Sequence, residues 1–180
     1  MNNLRKAVFF CSIICLFAMN SGLGAQEIKE IGGEPLEHLK KDFKERFIYY
    51  TFDYLRMYKT YSKDNTFADY LNDGNEYTIF APVEEAMEMY YSQNGGRNGN
   101  IPRLRNTMKY NMVKGKMLPE DFKNEQKLRT IYGSGSYIDV IVKKGKITLK
   151  DMQGNSVKLS KPMVFEKVVI YPLDVCLRYQ

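Results

Sequence analysis

Between Leu128 and Leu173 the chain is cut into short apolar or alternating runs: Leu128 to Tyr132, Tyr137 to Val142, Lys146 to Leu149, Ser156 to Leu159, Met163 to Phe165 and Val168 to Leu173. Gly133-Ser134-Gly135, Lys143-Lys144-Gly145 and Gln153-Gly154-Asn155 separate several of them. Runs this short, bounded by turn residues, read as strands of a meander rather than as helices. Upstream the periodicity changes. Leu36, Leu39, Phe43, Phe47, Tyr50 and Tyr54 recur at three- and four-residue steps, which puts them on one helix face starting at Pro35. Asp64 or Asn65 can cap a short helix over Thr66 to Leu71, closed by Asn72-Asp73-Gly74. Glu76 to Ala81 reads as a strand. Pro82 ends its ladder, and Glu84 and Glu85 follow where a helix N-terminus favours negative charge. Val83, Met87 and Tyr90 or Tyr91 are the expected inner side of that helix. After the glycine-rich loop Ser92 to Asn100, a further helix is predicted from Pro102 to Gly115, burying Leu104, Met108 and Met112. Pro119 to Phe122 reads as a short helical turn. Helices followed by a strand meander, with one early strand between, indicate an α+β fold rather than alternating βαβ units.

At 180 residues, 44% apolar and 27% charged, the chain has the length and composition of one globular domain. Its first 25 residues read as a secretory signal. Arg5 and Lys6 form the basic start, Ala7 to Met19 the apolar run, and Ser21, Gly22, Gly24 and Ala25 the small residues for cleavage. Cleavage is expected after Ala25, with the bond after Gly24 as the alternative. The apolar run falls short of the roughly 20 residues that span a bilayer as a helix. Cys15 lacks the small residue that precedes a lipidated cysteine, so neither lipid nor a membrane anchor is expected on the mature protein. Residues 26–34 read as a flexible lead-in and 35–180 as a single domain.

Removing the signal takes Arg5, Lys6, Cys11 and Cys15 with it. The formal charge falls from +6 to about +4, too small an excess to imply nucleic acid binding. Cys176 is left without an intramolecular partner, and its apolar neighbours Val175 and Leu177 mark it as a buried small hydrophobe.

Catalytic machinery is hard to assemble from this inventory. His38 is the single histidine and sits on a predicted helix beside Glu37. Gly133-Ser134-Gly135-Ser136 lacks the spacing of a nucleophile elbow and precedes a strand instead of a helix. One histidine and no cysteine pair make no zinc centre. No enzyme, no cofactor and no metal are therefore expected. Two features remain for binding. Arg103, Arg105, Lys109 and Lys114 share the polar face of the predicted third helix, with Arg97 in the loop before it. A solvated face is the simpler use of such a charge run, and a polyanion site the sharper one. Fourteen tyrosines with no tryptophan include the pairs Tyr49-Tyr50 and Tyr90-Tyr91, whose amphipathic rings suit the core or protein and sugar contacts.

Four segments resemble the fasciclin (FAS1) domain family. Tyr77-Thr78-Ile79-Phe80-Ala81-Pro82-Val83-Glu84-Glu85-Ala86-Met87 is similar to its first signature, and Lys109-Tyr110-Asn111-Met112-Val113-Lys114-Gly115-Lys116 to its middle Tyr-His segment. Leu128-x-Thr130-Ile131-Tyr132-Gly133 resembles its linking segment, and Val169-Ile170-Tyr171-Pro172-Leu173-Asp174-Val175-Cys176-Leu177 its terminal signature. The order and spacing hold from about Phe47 to Leu177. Four residues depart from the pattern: Val83 stands for a capping threonine, Asn111 for the histidine and Tyr171-Pro172 for His-Val.

The resemblance implies a twisted β-sandwich or wedge of about seven strands with helices along one side and at one end. It implies structural roles for Thr78, Phe80, Ala81, Pro82, Ala86, Tyr110, Asn111, Gly115, Ile170, Leu173, Asp174 and Leu177, with Phe80, Tyr110 and Leu173 meeting in the core. It also implies an exported adhesion or interaction module for a surface protein or glycan, the alternative being a structural accessory subunit of an envelope complex. Adhesive roles attached to the Tyr-His segment do not transfer where Asn111 replaces histidine.

Overall fold

The computed structural model describes residues 30–31, 34–46, 48, 73–96, 101–133 and 135–179. The expected signal segment, the helical continuation through Phe47, Tyr50 and Tyr54, the Thr66 to Leu71 helix and residues 97–100 of the glycine-rich loop lie outside the described residues. In chain order the elements are β1 (Glu30–Ile31), β2 (Glu34–Pro35), α1 (Leu36–Glu45), β3 (Tyr77–Pro82), α2 (Glu84–Gln93), α3 (Ile101–Tyr110) and β4 (Met112–Lys114). A 3₁₀ turn (Pro119–Asp121) follows, then β5 (Lys127–Arg129), β6 (Tyr137–Lys143), β7 (Lys146–Lys150), β8 (Ser156–Lys158), β9 (Met163–Val164) and β10 (Val168–Leu173).

Two four-stranded sheets carry the architecture, one ordered β4-β3-β10-β9 and the other β5-β6-β7-β8. The second is the antiparallel meander expected from the sequence. Its β6–β7 hairpin turns through Lys144 and Gly145, both at positive φ, the geometry that matches the twist of the flanking strands. The first sheet is mixed. β3 and β10 pair in parallel, from Val168 opposite Tyr77 to Leu173 opposite Pro82.

This first sheet is the middle layer, because its two faces feed two different cores. Tyr77, Ile79 and Ala81 of β3 and Val168 and Ile170 of β10 pack with Met87, Tyr90, Leu104 and Met108 from α2 and α3. Phe80 of β3 and Val169, Tyr171 and Leu173 of β10 face the other way, onto Leu128, Ile138, Val140, Leu149 and Val157 of the second sheet. A strand covered on both faces has no polar alternation, which is why all six residues of β3 are buried. Pro172 is tolerated inside β10 because it lies beyond the residues that β9 pairs, Val169 and Ile170.

The α+β class and the sheet-on-sheet packing agree with expectation, with eight strands in the two sheets where about seven were anticipated. The third helix is shorter than predicted. It ends at Tyr110, and Met112 belongs to β4, opposite Ile79. The four-residue spacing of Leu104, Met108 and Met112 continues the helical pattern, but Phe80 N–H donates to the Asn111 carbonyl at 2.8 Å and draws the chain into the sheet. At the N-terminal end, Glu30–Ile31 pair with Glu34–Pro35 over part of the expected lead-in. Among the described residues no helix is long and apolar enough to cross a membrane.

Candidate functional site

The residues that carry the family-like segments converge on the sheets and the end of α3, and most of them are interior. Thr78 is fully buried on β3; its hydroxyl donates to the Gly115 carbonyl at 2.7 Å and accepts from Met117 N–H at 2.9 Å. Gly115 holds φ at +99°, a conformation that side chains rarely adopt, and this lets the chain leave β4 toward that hydroxyl. Phe80, Tyr110, Leu173 and Leu177 meet in the core between the sheets, while Ala81 and Ile170 lie on the helix-facing side. Ala86 is buried on α2. Pro82 is the last residue of β3 rather than the first of the helix, and Asp174 is exposed. Val83 sits at the α2 N-cap without a side-chain cap, its backbone N–H donating to the Leu173 carbonyl.

Asn111 is fully buried, so it cannot touch a partner. Its amide nitrogen donates to the Thr107 carbonyl at 2.7 Å and the Leu177 carbonyl at 2.9 Å, tying the end of α3 to the segment after β10. Both donors are spent on carbonyls, and the side-chain oxygen accepts no hydrogen bond among the described residues. The neighbouring Tyr110 hydroxyl donates to the Tyr137 carbonyl and accepts from Met152 N–H.

The segment after β10 is therefore pinned down, and Asp151 completes the pinning. This carboxylate is 3% exposed. It accepts from Gln153 N–H, Asn155 N–H and the Asn155 side-chain amide within its own turn, and from Arg178 N–H at 2.9 Å across the fold. Gln153 donates from its side chain to the Tyr179 carbonyl at 3.0 Å. The Arg178 guanidinium donates to Gln93 Oε1 at the end of α2 and lies 5.9 Å from the Tyr90 ring centroid.

On this frame lies an aromatic surface. Tyr132 and Tyr179 are in ring contact, with centroids 4.3 Å apart and planes at 39°, and Tyr179 in turn lies 6.3 Å from the Tyr110 ring. Tyr132 is the one large aromatic exposed among the described residues. These two tyrosines were not singled out by sequence reasoning; the surplus of tyrosine was the signal, but adjacent pairs drew attention and Tyr132 and Tyr179 are far apart in the chain. Of the basic residues, Arg103 is exposed and Arg105 and Lys109 half-buried on α3. Burial raises the Tyr90 phenol above its usual range, and the Arg103 charge opposes that rise. Arg97 lies outside the described residues.

His38 is exposed on α1, and Cys176 is buried just after β10. Among the described residues no three histidine, cysteine or acidic side chains are grouped to hold a metal ion. Burial pushes the Cys176 thiol up to about 12 and lifts the Tyr110 and Tyr171 phenols well above their usual range. Groups whose folded values are raised stabilise the fold fully only below their unfolded values, near 9 for the thiol and 10 for the phenols. Stability is thus expected to fall as pH rises from 9 through 12, with Cys176 blocked to a thiol reagent until the chain unfolds. Urea midpoints and thiol labelling at pH 8, 9.5 and 10.5 check both.

No curated protein sequence matches the chain. Among solved structures, a FAS1 domain pair from the insect cell adhesion molecule Fasciclin I is similar, with a TM-score of 0.49 and 10% identity. The likeness covers 82% of this chain and 48% of that one, so the chain spans about half the length of that relative. The fasciclin domain pattern matches residues 53–178, which include the four signature-like segments and both sheets. The chain belongs to the fasciclin domain family.

Proposed function

We propose that the chain is an exported, non-enzymatic adhesion or interaction module that binds a protein or glycan at the cell surface or in the surrounding matrix. The observation that carries this reading is the fasciclin match over residues 53–178. The burial of the family-like residues supports it further. With Thr78, Phe80, Tyr110, Asn111 and Leu177 committed to the interior, partner contacts fall to surface side chains. Arg103, Arg105 and Lys109 on α3 are candidates for an anionic partner, and the tyrosine surface beside Arg178 for a glycan or protein.

Two measurements test the reading. Intact mass of the exported protein is expected to show a start at Gln26 or Ala25 with no lipid. A pull-down from surface extracts is expected to recover a partner. If that partner is anionic, charge reversal at Arg103, Arg105 and Lys109 weakens capture and rising salt does the same, since exposed charges are screened over about 10 Å at 0.1 M. A substrate turned over by the wild type but not by His38→Ala would overturn the non-enzymatic assignment.

A further inference from the structure

We propose that the outward face of the second sheet carries a lysine track, Lys150, Lys158, Lys146 and Lys143, which binds a strand of acidic polysaccharide. The inference rests on the adhesion reading and names both the class of partner and the surface that takes it.

Strand alternation sends Leu128, Ile138, Val140, Leu149 and Val157 inward, so the residues beside them share the opposite face. Six of the outward positions in β5 to β8 are exposed cations, Lys127, Arg129, Lys143, Lys146, Lys150 and Lys158, against the one carboxylate of Asp139. This face thus holds a net +5 in a chain whose formal charge is +6. Lysines on edge strands guard against stray strand pairing, which accounts for Lys127 and Lys158. It does not account for β6 and β7, which are paired on both sides. Lys143 and Lys146 stand directly opposite each other at the end of that hairpin, where like charges weaken the pairing. Lys144 follows at a φ of +50°, in a turn position that favours Asn, Asp or Gly. A hairpin that gathers three lysines against its own folding preferences is shaped by something other than stability.

The strand register makes the track a line. Lys158 faces Thr148, and is therefore diagonal to Lys150 on one side and to Lys146 on the other. Diagonal neighbours lie about 7 to 8 Å apart and directly opposite ones about 4.5 to 5.5 Å, so the four ammonium groups follow one another at short intervals. Among the described residues none of the four is in an ion pair. Asp139 stands beside the track, opposite Lys150, with Lys127 on its other side.

A row of point charges fits a linear polyanion, whereas a flat anionic membrane surface laid on this sheet would also cover Asp139. Hydroxyls alternate with the charges, Ser156 opposite Lys150 and Thr148 opposite Lys158, and they can donate to and accept from sugar hydroxyls. Single-stranded nucleic acid binds largely by stacking its bases on aromatic rings. The one outward aromatic of the sheet, Tyr137, is half-buried, and the Lys127 ammonium lies 4.0 Å from its ring centroid. Charge, line and hydroxyls together select the polysaccharide.

The test is calorimetric titration of the full chain with oligogalacturonate, a neutral gluco-oligosaccharide of equal length, a thymidine oligonucleotide of equal charge and phosphatidylglycerol vesicles. Oligogalacturonate is expected to bind most tightly and to weaken as salt rises. Combining Lys143→Gln, Lys146→Gln and Lys158→Gln is expected to weaken it about tenfold or more, and Lys127→Gln with Arg129→Gln less than about twofold. The triple variant also flattens the salt dependence. Its urea midpoint is expected to hold or rise, because the Lys143–Lys146 repulsion is relieved. A lower midpoint would mean that these lysines serve the fold, and would overturn the proposal. So would tighter binding of any of the other three probes, or equal losses in the two sets of variants. If oligogalacturonate is not bound while a surface protein is captured equally by wild type and the triple variant, the track falls and the adhesion reading stands.

Discussion

Phe80→Ala is expected to lower the unfolding free energy by about 3 to 5 kcal/mol. The ring is fully buried between the two sheets, 6.0 Å from the Tyr171 ring and in one cluster with Tyr110 and Leu173. Truncation would open a cavity where no single layer can collapse to fill it, because β3 is held in place on one side by β4 and on the other by β10. Small domains are stable by only about 5 to 15 kcal/mol, so this one side chain accounts for a large share. Urea denaturation should show a lower midpoint with an unchanged slope. A midpoint within error of wild type would mean that Phe80 does not hold the sheets together, and the two-core description would fail with it.

Asp151→Ala is expected to cost about 3 kcal/mol. Four donors converge on that carboxylate, and hydrogen bonds to a charged group contribute roughly 1.5 to 3 kcal/mol each when counted singly. They do not add, because three come from one tight turn and would relax together. The fourth, from Arg178 N–H, is the one that ties the tail to the β7–β8 turn. Hydrogen exchange therefore separates two effects: the Arg178 amide should lose protection in Asp151→Ala more than amides of β3 and β10 do. Equal loss everywhere would make Asp151 a general stabiliser and not a tail anchor. Asp151→Asn, which keeps two lone-pair acceptors on one oxygen, should recover part of the loss.

Much of the meander was legible because its signals are local. Lys144-Gly145 and Gly154 sit where the backbone needs positive φ, and the strands they separate begin and end within a residue or two of the expected positions. The strand, turn and helix from Tyr77 to Gln93 were legible for the same reason. β4 was not, since Met112 falls on a helical period and only its pairing with β3 distinguishes strand from helix. The candidate surface was the least legible. Tyr132 meets Tyr179, and Asp151 meets Arg178, across separations that no local pattern encodes. Asn111, noted as a departure from the family pattern, took a role that sequence could not specify: its donors bind a carbonyl one helical turn back and another at Leu177.

The parallel pairing of β3 with β10 sets a timetable for the chain. Tyr77 and Val168, partners in the middle of the central sheet, are about 90 residues apart, and everything between them must be looped out before they meet. The two cores share these strands, so neither can close on the β3, α2 and α3 portion alone. During synthesis the stretch from Tyr77 to Pro82, fully buried in the folded protein, waits without its long partner until residue 173 has been made. Topology of this kind folds slowly, on the millisecond-to-second scale, and leaves an unpaired edge open to wrong partners in the meantime. A nascent chain of this protein is thus expected to stay pliable until nearly all of it is present, a property that fits the export proposed for it.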